Sequence, residues 1–251
     1  MRIVVWNCNM ALHQKWEALT ALRPDLAILP EAAAPDVLDR KGTPLDDVST
    51  VWAGKSGGSA NKGLLVAGFG GLSVERVPEE APLLDIFLPV RISGRLRFDA
   101  LAVWSFNRRS PVGRDRSIIA KALDRYGPFL RGGALMGGDF NHSVRWDRGG
   151  AHDLAPSLTA LSASQLRSAY HVERAEAFGS ESLPTLYWRD RSEDGPSYHI
   201  DYLFEPPTWR AARRSVSLGS YVSWVAEGLS DHVPLICDYD ETMLNRQSIA
   251  A

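Results

Sequence analysis

Two cysteines, Cys8 and Cys237, are all that 251 residues contain. That excludes a disulfide-stapled scaffold and any Cys-x-x-Cys zinc site. No apolar run approaches the roughly 15–20 residues that a secretory leader or membrane span requires. The sequence opens on a run of only four, Ile3-Val4-Val5-Trp6. The expectation is a soluble, cytoplasmic protein whose thiols are free packing residues. Charge of one sign is also missing, with 28 Lys and Arg against 30 Asp and Glu and a net charge of -2. This argues against a chain that lives on nucleic acid by electrostatics alone, but not against one that visits a phosphate briefly. Gly54-Lys55-Ser56 lacks the upstream glycine of a phosphate-binding loop, since Ser49 stands in its place. No Gly-x-Ser-x-Gly elbow stands at a strand end. Repeats, linkers and low-complexity tracts are absent too, and 45% hydrophobic with 23% charged residues is the composition of an ordinary globular chain.

What is present reads as α/β. Residues 2–7 are rich in β-branched side chains and strand-like, 13–23 space Trp16, Leu19 and Leu22 at helical intervals, and 26–29 form a second apolar run stopped by Pro30. Short strands are expected at 64–67, 84–92 and 98–104, a helix at 116–130 and a strand at 134–136. A helix near 154–161 and strands at 185–189, 198–204, 215–218 and 233–239 complete the pattern. One compact domain over residues 1–240 is expected, with 241–251 a fraying C-terminal tail that lacks periodicity.

The neutral total hides a polarised distribution. Residues 108–148 carry nine basic side chains against four acidic, and residues 17–50 carry seven acidic against three basic. Solvated surface explains most such runs, whereas the sharper reading has Arg108, Arg109 and Arg145 holding phosphate oxygens. Polar residues also stand at the ends of apolar runs. Asn7 follows the first strand, Glu31 the second, and Asp139 and Asn141 follow Leu135-Met136-Gly137-Gly138. Asp201 lies inside Tyr198-His199-Ile200-Asp201-Tyr202-Leu203-Phe204, and Asp231-His232 precede Val233-Pro234-Leu235-Ile236. Any one of these could be a turn former or a helix cap. Five together, at strand ends where a rigid sheet fixes side chains beside loops, point to a functional site.

This ordered set resembles the endonuclease/exonuclease/phosphatase superfamily of metal-dependent phosphoesterases, from Trp6-Asn7 to Ser230-Asp231-His232 and so over nearly the whole chain. Its most specific pieces are Gly138-Asp139-Phe140-Asn141, Ile200-Asp201-Tyr202 and Ser230-Asp231-His232-Val233-Pro234. The resemblance implies a four-layer α/β (α+β) sandwich, two mostly antiparallel sheets packed face to face with helices outside. It implies Glu31, Asn7 and Asp231 as ligands of Mg²⁺ or Mn²⁺, hard ions suited to oxygen donors. His232 would be the base or phosphate-polarising group, fixed by Asp201, while Asp139 orients water and Asn141 binds a phosphate oxygen.

One departure stands out. Where relatives carry a His or Tyr at the end of the strand Leu101-Ala102-Val103, this sequence has Trp104, whose indole donates one hydrogen bond but delivers no proton. Asn107, Arg108, Arg145 and Trp104 are the expected substrate contacts, and Tyr187, Trp188 and Trp146 are aromatic side chains available for base stacking. The expected activity is hydrolysis of phosphodiester bonds in DNA or RNA, with a small-phosphoester hydrolase as the first alternative. An inactive binding relative is the lesser alternative, against which stand Glu31, Asp139 and His232. No obligate protein partner is expected.

Overall fold

The computed structural model describes residues 1–55, 57–79, 86–106, 117–189 and 191–249. In chain order its elements are β1 (Arg2–Val5), α1 (Trp16–Ala21), β2 (Leu26–Ala32), α2 (Pro35–Arg40), β3 (Ser49–Gly54), β4 (Gly63–Gly68), β5 (Ser73–Arg76), β6 (Ile86–Ser93) and β7 (Phe98–Trp104). There follow α3 (Ile118–Arg131), β8 (Leu135–Asp139), α4 (Ala155–Ala163), β9 (Arg167–Ser168), α5 (Ala169–Arg174), β10 (Leu186–Tyr187) and β11 (Ser197–Tyr198). The chain closes with β12 (Asp201–Glu205), α6 (Pro207–Ala212), β13 (Arg213–Leu218), β14 (Leu235–Tyr239) and α7 (Glu241–Ile249).

Two six-stranded sheets form, in the orders β13-β14-β1-β2-β4-β3 and β5-β6-β7-β8-β12-β9, with β10-β11 as a separate hairpin. Among the described residues each six-stranded sheet holds one parallel pair, β1–β2 in the first and β7–β8 in the second. The other pairings are antiparallel.

Alternation along each strand assigns its faces. Ile3 and Val5 of β1, Leu26 and Ile28 of β2, Ala100 and Ala102 of β7, Leu135 of β8 and Leu203 of β12 point between the sheets and form one core. Their neighbours point outward. Val4, Ala27 and Leu29 meet Trp16, Leu19, Val37 and Leu38 of α1 and α2. Leu101, Val103, Met136, Tyr202 and Phe204 meet Ile119, Ala122, Tyr126 and Leu130 of α3 and Leu161 of α4. Both faces of each central strand are therefore buried, which is why the strands read as continuous apolar runs rather than alternating ones. The result is the expected four-layer α/β sandwich. No described helix is long and apolar enough to cross a membrane.

Gly138 shows how tightly the parallel pair is drawn. Its φ is +145°, and a Cβ there would lie 1.8 Å from the Val103 carbonyl oxygen across the β7–β8 ladder. Gly138→Ala is expected to lower unfolding free energy by about 3 kcal/mol or more. Urea melts would measure it, and a loss below about 1 kcal/mol would contradict the packing described.

Residues 241–249 of the expected tail form a helix, and 250–251 lie outside the described residues. Asp240 Oδ1 accepts the Thr242 and Met243 amides at 2.9 and 3.1 Å, capping α7. Glu241 pairs with the terminal ammonium at 3.2 Å and with Arg95 at 3.3 Å, and Leu244 is buried. Elsewhere the broad features hold while boundaries move, and α2, β3, β5, α5 and α6 are additions of six residues or fewer, too short to imprint a period.

Candidate active site

Following the inward-facing series to one end of the sandwich gives the site. After Ile3 and Val5 the next inward position is Asn7, and after Leu135 and Gly137 it is Asp139. Asp201 precedes Leu203 on the same face of β12, and Trp104 follows Ala102. Polar groups thus replace the apolar core where the chain ends of both parallel pairs converge. Asn7, Asp139, Asp201 and His232 are all buried. Asn7 Nδ2 donates to Asp139 Oδ2 at 2.9 Å, tying the first sheet to the second. Donor atoms of Asp139, Asp201 and His232 lie within 4.8 Å of one another.

His232 Nδ1 donates to Asp201 Oδ2 at 2.8 Å. Ser230 Oγ accepts the His232 amide at 3.1 Å and donates to the Asn7 carbonyl at 2.7 Å. Thr185 Oγ1 accepts the Ile200 and Asp201 amides at 3.0 and 3.1 Å. The β10–β11 hairpin is stitched alongside through Tyr187 N to Asp231 O at 2.8 Å and the Leu186–His232 bridge. Asp139 accepts three bonds, from the Asn141 amide at 2.8 Å, Asn141 Nδ2 at 3.0 Å and Asn7. Asn141 Nδ2 also donates to the Ser105 carbonyl at 2.8 Å, so its amide hydrogens position Asp139 and the β7 end.

Glu31 arrives differently. The β2–β4 register shifts between Pro30 and Ala32, and Glu31 is the bulged residue with φ +63°. A bulge re-aims a side chain that strict alternation would have placed on the wrong face. Its carboxylate is 18% exposed and pairs with Lys62 Nζ at 2.7 Å. Asp231 is partly exposed, with Arg191 Nη2 3.8 Å from its Oδ2.

Electrostatics marks the cluster as strained by its own charge. Burial pushes Asp139 up to about 7, helped by the neighbouring Asp201 charge and only partly offset by His232 and the amide donors. Burial alone would lower His232, but the charge and hydrogen bond of Asp201, with Asp139 and Asp231, outweigh it and raise the imidazole to about 10. Because folding raises this group, the stabilisation from the imidazolium is complete below the ordinary 6.5 and is lost as pH rises through about 10. EDTA-treated protein should therefore lose thermal stability across that window. His232→Gln should flatten the slope, and equal slopes in the two proteins would refute the assignment.

The buried Asp139–Asp201–His232 group could hold a metal ion, and its two carboxylates offer the hard oxygen donors that suit a divalent cation. Asp201 Oδ1 is buried without a hydrogen-bond partner among the described residues. That orphaned oxygen, beside the raised Asp139, is surplus negative charge that a cation would relieve.

The substrate contacts expected from sequence fare unevenly. Trp104 is 1% exposed, facing the inter-sheet core in register with Asp139, and its Nε1 has no hydrogen-bond partner among the described residues. Alternation along β7 turns it inward, into the core between the sheets. Arg145 is exposed, bonded to the Ser197 carbonyl at 3.3 Å and 5.3 Å from the Tyr198 ring centroid. Asn107 and Arg108 lie outside the described residues. Lys62, Ser230 and Thr185 escaped sequence-based selection. Ser230 at least sits within the Ser-Asp-His motif, whereas Lys62 stands in a turn with no periodic signal.

No family model and no curated protein matches the chain by sequence. Solved structures do match. A 3'-5' exonuclease from Neisseria meningitidis aligns at 18% identity over 96% of this chain and 100% of its own, with a TM-score of 0.69. The catalytic domain of Xenopus laevis APE2 aligns at 16% identity over 95% and 91%, TM-score 0.68. The endonuclease domain of TRAS1, a telomere-specific non-LTR retrotransposon, aligns at 16% identity over 95% and 97%, TM-score 0.66. At such identities the likeness is one of fold.

Proposed function

We propose that this chain, built on the endonuclease/exonuclease/phosphatase fold, is a divalent-metal-dependent phosphodiesterase that hydrolyses DNA or RNA. The observation that carries the reading is the buried Asp139–Asp201–His232 cluster, with Asn7 bonded to it, at the sandwich end. Glu31, Asn7 and Asp231 would hold Mg²⁺ or Mn²⁺. Such an ion, when bound, supplies charge neutralisation at the phosphate and lowers the pKa of water.

The remaining roles belong to the chain. Asp139, held near 7, has the basicity to accept a proton from the attacking water at neutral pH. His232, held near 10, is suited to donate its Nε2–H to a phosphate oxygen as an imidazolium rather than to act as the base. Asp201 fixes the orientation and charge of that ring, and Asn141 positions Asp139.

A polymeric substrate is supported by the surface of the hairpin. Trp188 is 44% exposed with the Arg189 guanidinium 4.4 Å from its ring centroid, and Tyr198 lies 4.8 Å from Trp146 and beneath Arg145. Planar rings interleaved with arginines suit bases and phosphates. Two of the similar structures are named as a 3'-5' exonuclease and an endonuclease domain, which supports the same reading. A cytoplasmic setting fits the two free, buried cysteines.

The deciding experiment offers plasmid, single-stranded DNA, RNA and bis(p-nitrophenyl) phosphate, each with Mn²⁺ and with EDTA. Metal-dependent cleavage of a nucleic acid is expected. Turnover of the small diester with every nucleic acid left intact would assign the chain to small phosphoesters instead.

A further inference from the structure

Glu31 is not simply an open carboxylate. Its bulge lies where β4 begins, with Ala32 opposite Gly63 and Pro30 opposite Leu64, so the residue just before β4, Lys62, is delivered to it by the ladder itself. Lys62 Nζ reaches Glu31 Oε2 at 2.7 Å. A second lysine close by, Lys15, is spent on the carbonyls of Cys8, Asn9 and Met10. The Lys62 ammonium is also 5.6 Å from the centroid of Trp104, the β7 residue paired with Asp139. It therefore spans the interval between the carboxylate expected to hold metal and the strand end expected to face phosphate. Trp104 brings no charge there, and its one donor is buried.

We propose that Lys62 is an exchangeable counter-ion of Glu31, neutralising the carboxylate in the metal-free chain, yielding it to a divalent cation, and then placing its ammonium against the substrate phosphate beside Trp104. The inference rests on the phosphodiesterase reading above. An ammonium and a divalent cation repel each other, so Lys62 on Oε2 and an ion on the same carboxylate weaken one another's hold. The doubly charged ion binds more strongly to a hard oxygen donor, and the flexible four-carbon stem of lysine swings its charge aside at little cost. Lys62 is 40% exposed, so it has solvent to move into. Two opposed consequences follow from one side chain. Lys62 weakens metal binding by competition, and it strengthens the reaction by neutralising phosphate.

The test measures both. Mn²⁺ binding is titrated by the electron paramagnetic resonance signal of the free ion, on wild type, Lys62→Met, Lys62→Arg and Glu31→Gln, with folding checked by circular dichroism. Lys62→Met keeps the aliphatic stem and removes the charge. It should bind Mn²⁺ about three- to tenfold more tightly, the scale expected for losing one half-exposed competing ion pair. Its kcat/KM on an oligonucleotide at saturating Mn²⁺ should fall about tenfold or more. Lys62→Arg, which restores the pairing charge, should return Mn²⁺ affinity towards wild type. A purely structural lysine would not tighten metal binding when removed. Unchanged or weaker Mn²⁺ affinity in Lys62→Met, with Glu31→Gln clearly impaired, overturns the proposal and leaves the phosphodiesterase reading intact. Wild-type Mn²⁺ affinity in Glu31→Gln removes Glu31 from the metal site and defeats both.

Discussion

Glu31→Gln keeps the fold and lowers phosphodiester hydrolysis by about 10³-fold or more at a fixed, sub-saturating Mn²⁺ concentration. The substitution is nearly isosteric, so the bulge at φ +63° and the β2–β4 register should survive. What disappears is the one carboxylate that β2 carries, the proposed metal ligand. Charge is the relevant quantity, because a neutral amide is a far weaker ligand for a hard divalent ion. Activity measured against metal concentration separates two outcomes. A curve displaced to higher Mn²⁺ with partial recovery identifies a ligand. Near-native turnover at every concentration would remove Glu31 from the mechanism.

Asp201→Asn is expected to reduce kcat by about 10³- to 10⁴-fold through a different route. Asp201 is fully buried, and one of its oxygens is occupied by His232 Nδ1 at 2.8 Å. An asparagine can still accept that bond, so the ring stays roughly in place. Its charge does not remain, and that charge is the leading influence holding the imidazole near 10 against burial. The His232 pKa should therefore fall steeply, leaving a neutral ring around pH 8. Imidazole resonances followed by NMR would report the fall directly, and the alkaline limb of the pH–rate profile should move to lower pH with it. Full activity with an unmoved His232 titration would reduce Asp201 to a packing residue.

Much of this site was legible because it continues a simple pattern. Asn7, Asp139 and Asp201 each extend a period-two inward series by one step past the apolar positions. A polar residue at such a step conflicts with its surroundings unless it has work to do. Glu31 was selected for its place after an apolar run, but its direction depends on a bulge and a left-handed backbone, neither of which leaves a trace in hydropathy. Trp104 was legible as a strand end, but only the register with β8 shows which way it turns. Lys62 was illegible altogether. It depends on the pairing of two strands that are apolar but for Glu31, with the lysine one residue outside the pattern. The capped helix at Glu241–Ile249 had a signal, Asp240 followed by Glu241, that periodicity alone overlooked.

The hydrogen bond from Asn7 to Asp139 crosses from one sheet to the other, and His232 must reach Asp201 from a segment 31 residues later. Neither half of the sandwich owns a working site. A partly synthesised or partly opened chain holds Asp139 and Asp201 on one slab and Asn7 on another, and it lacks the assembled cluster. For a protein whose activity would cut nucleic acid, assembly itself is the safety catch. Anything that parts the two sheets disarms the molecule before it unravels either one.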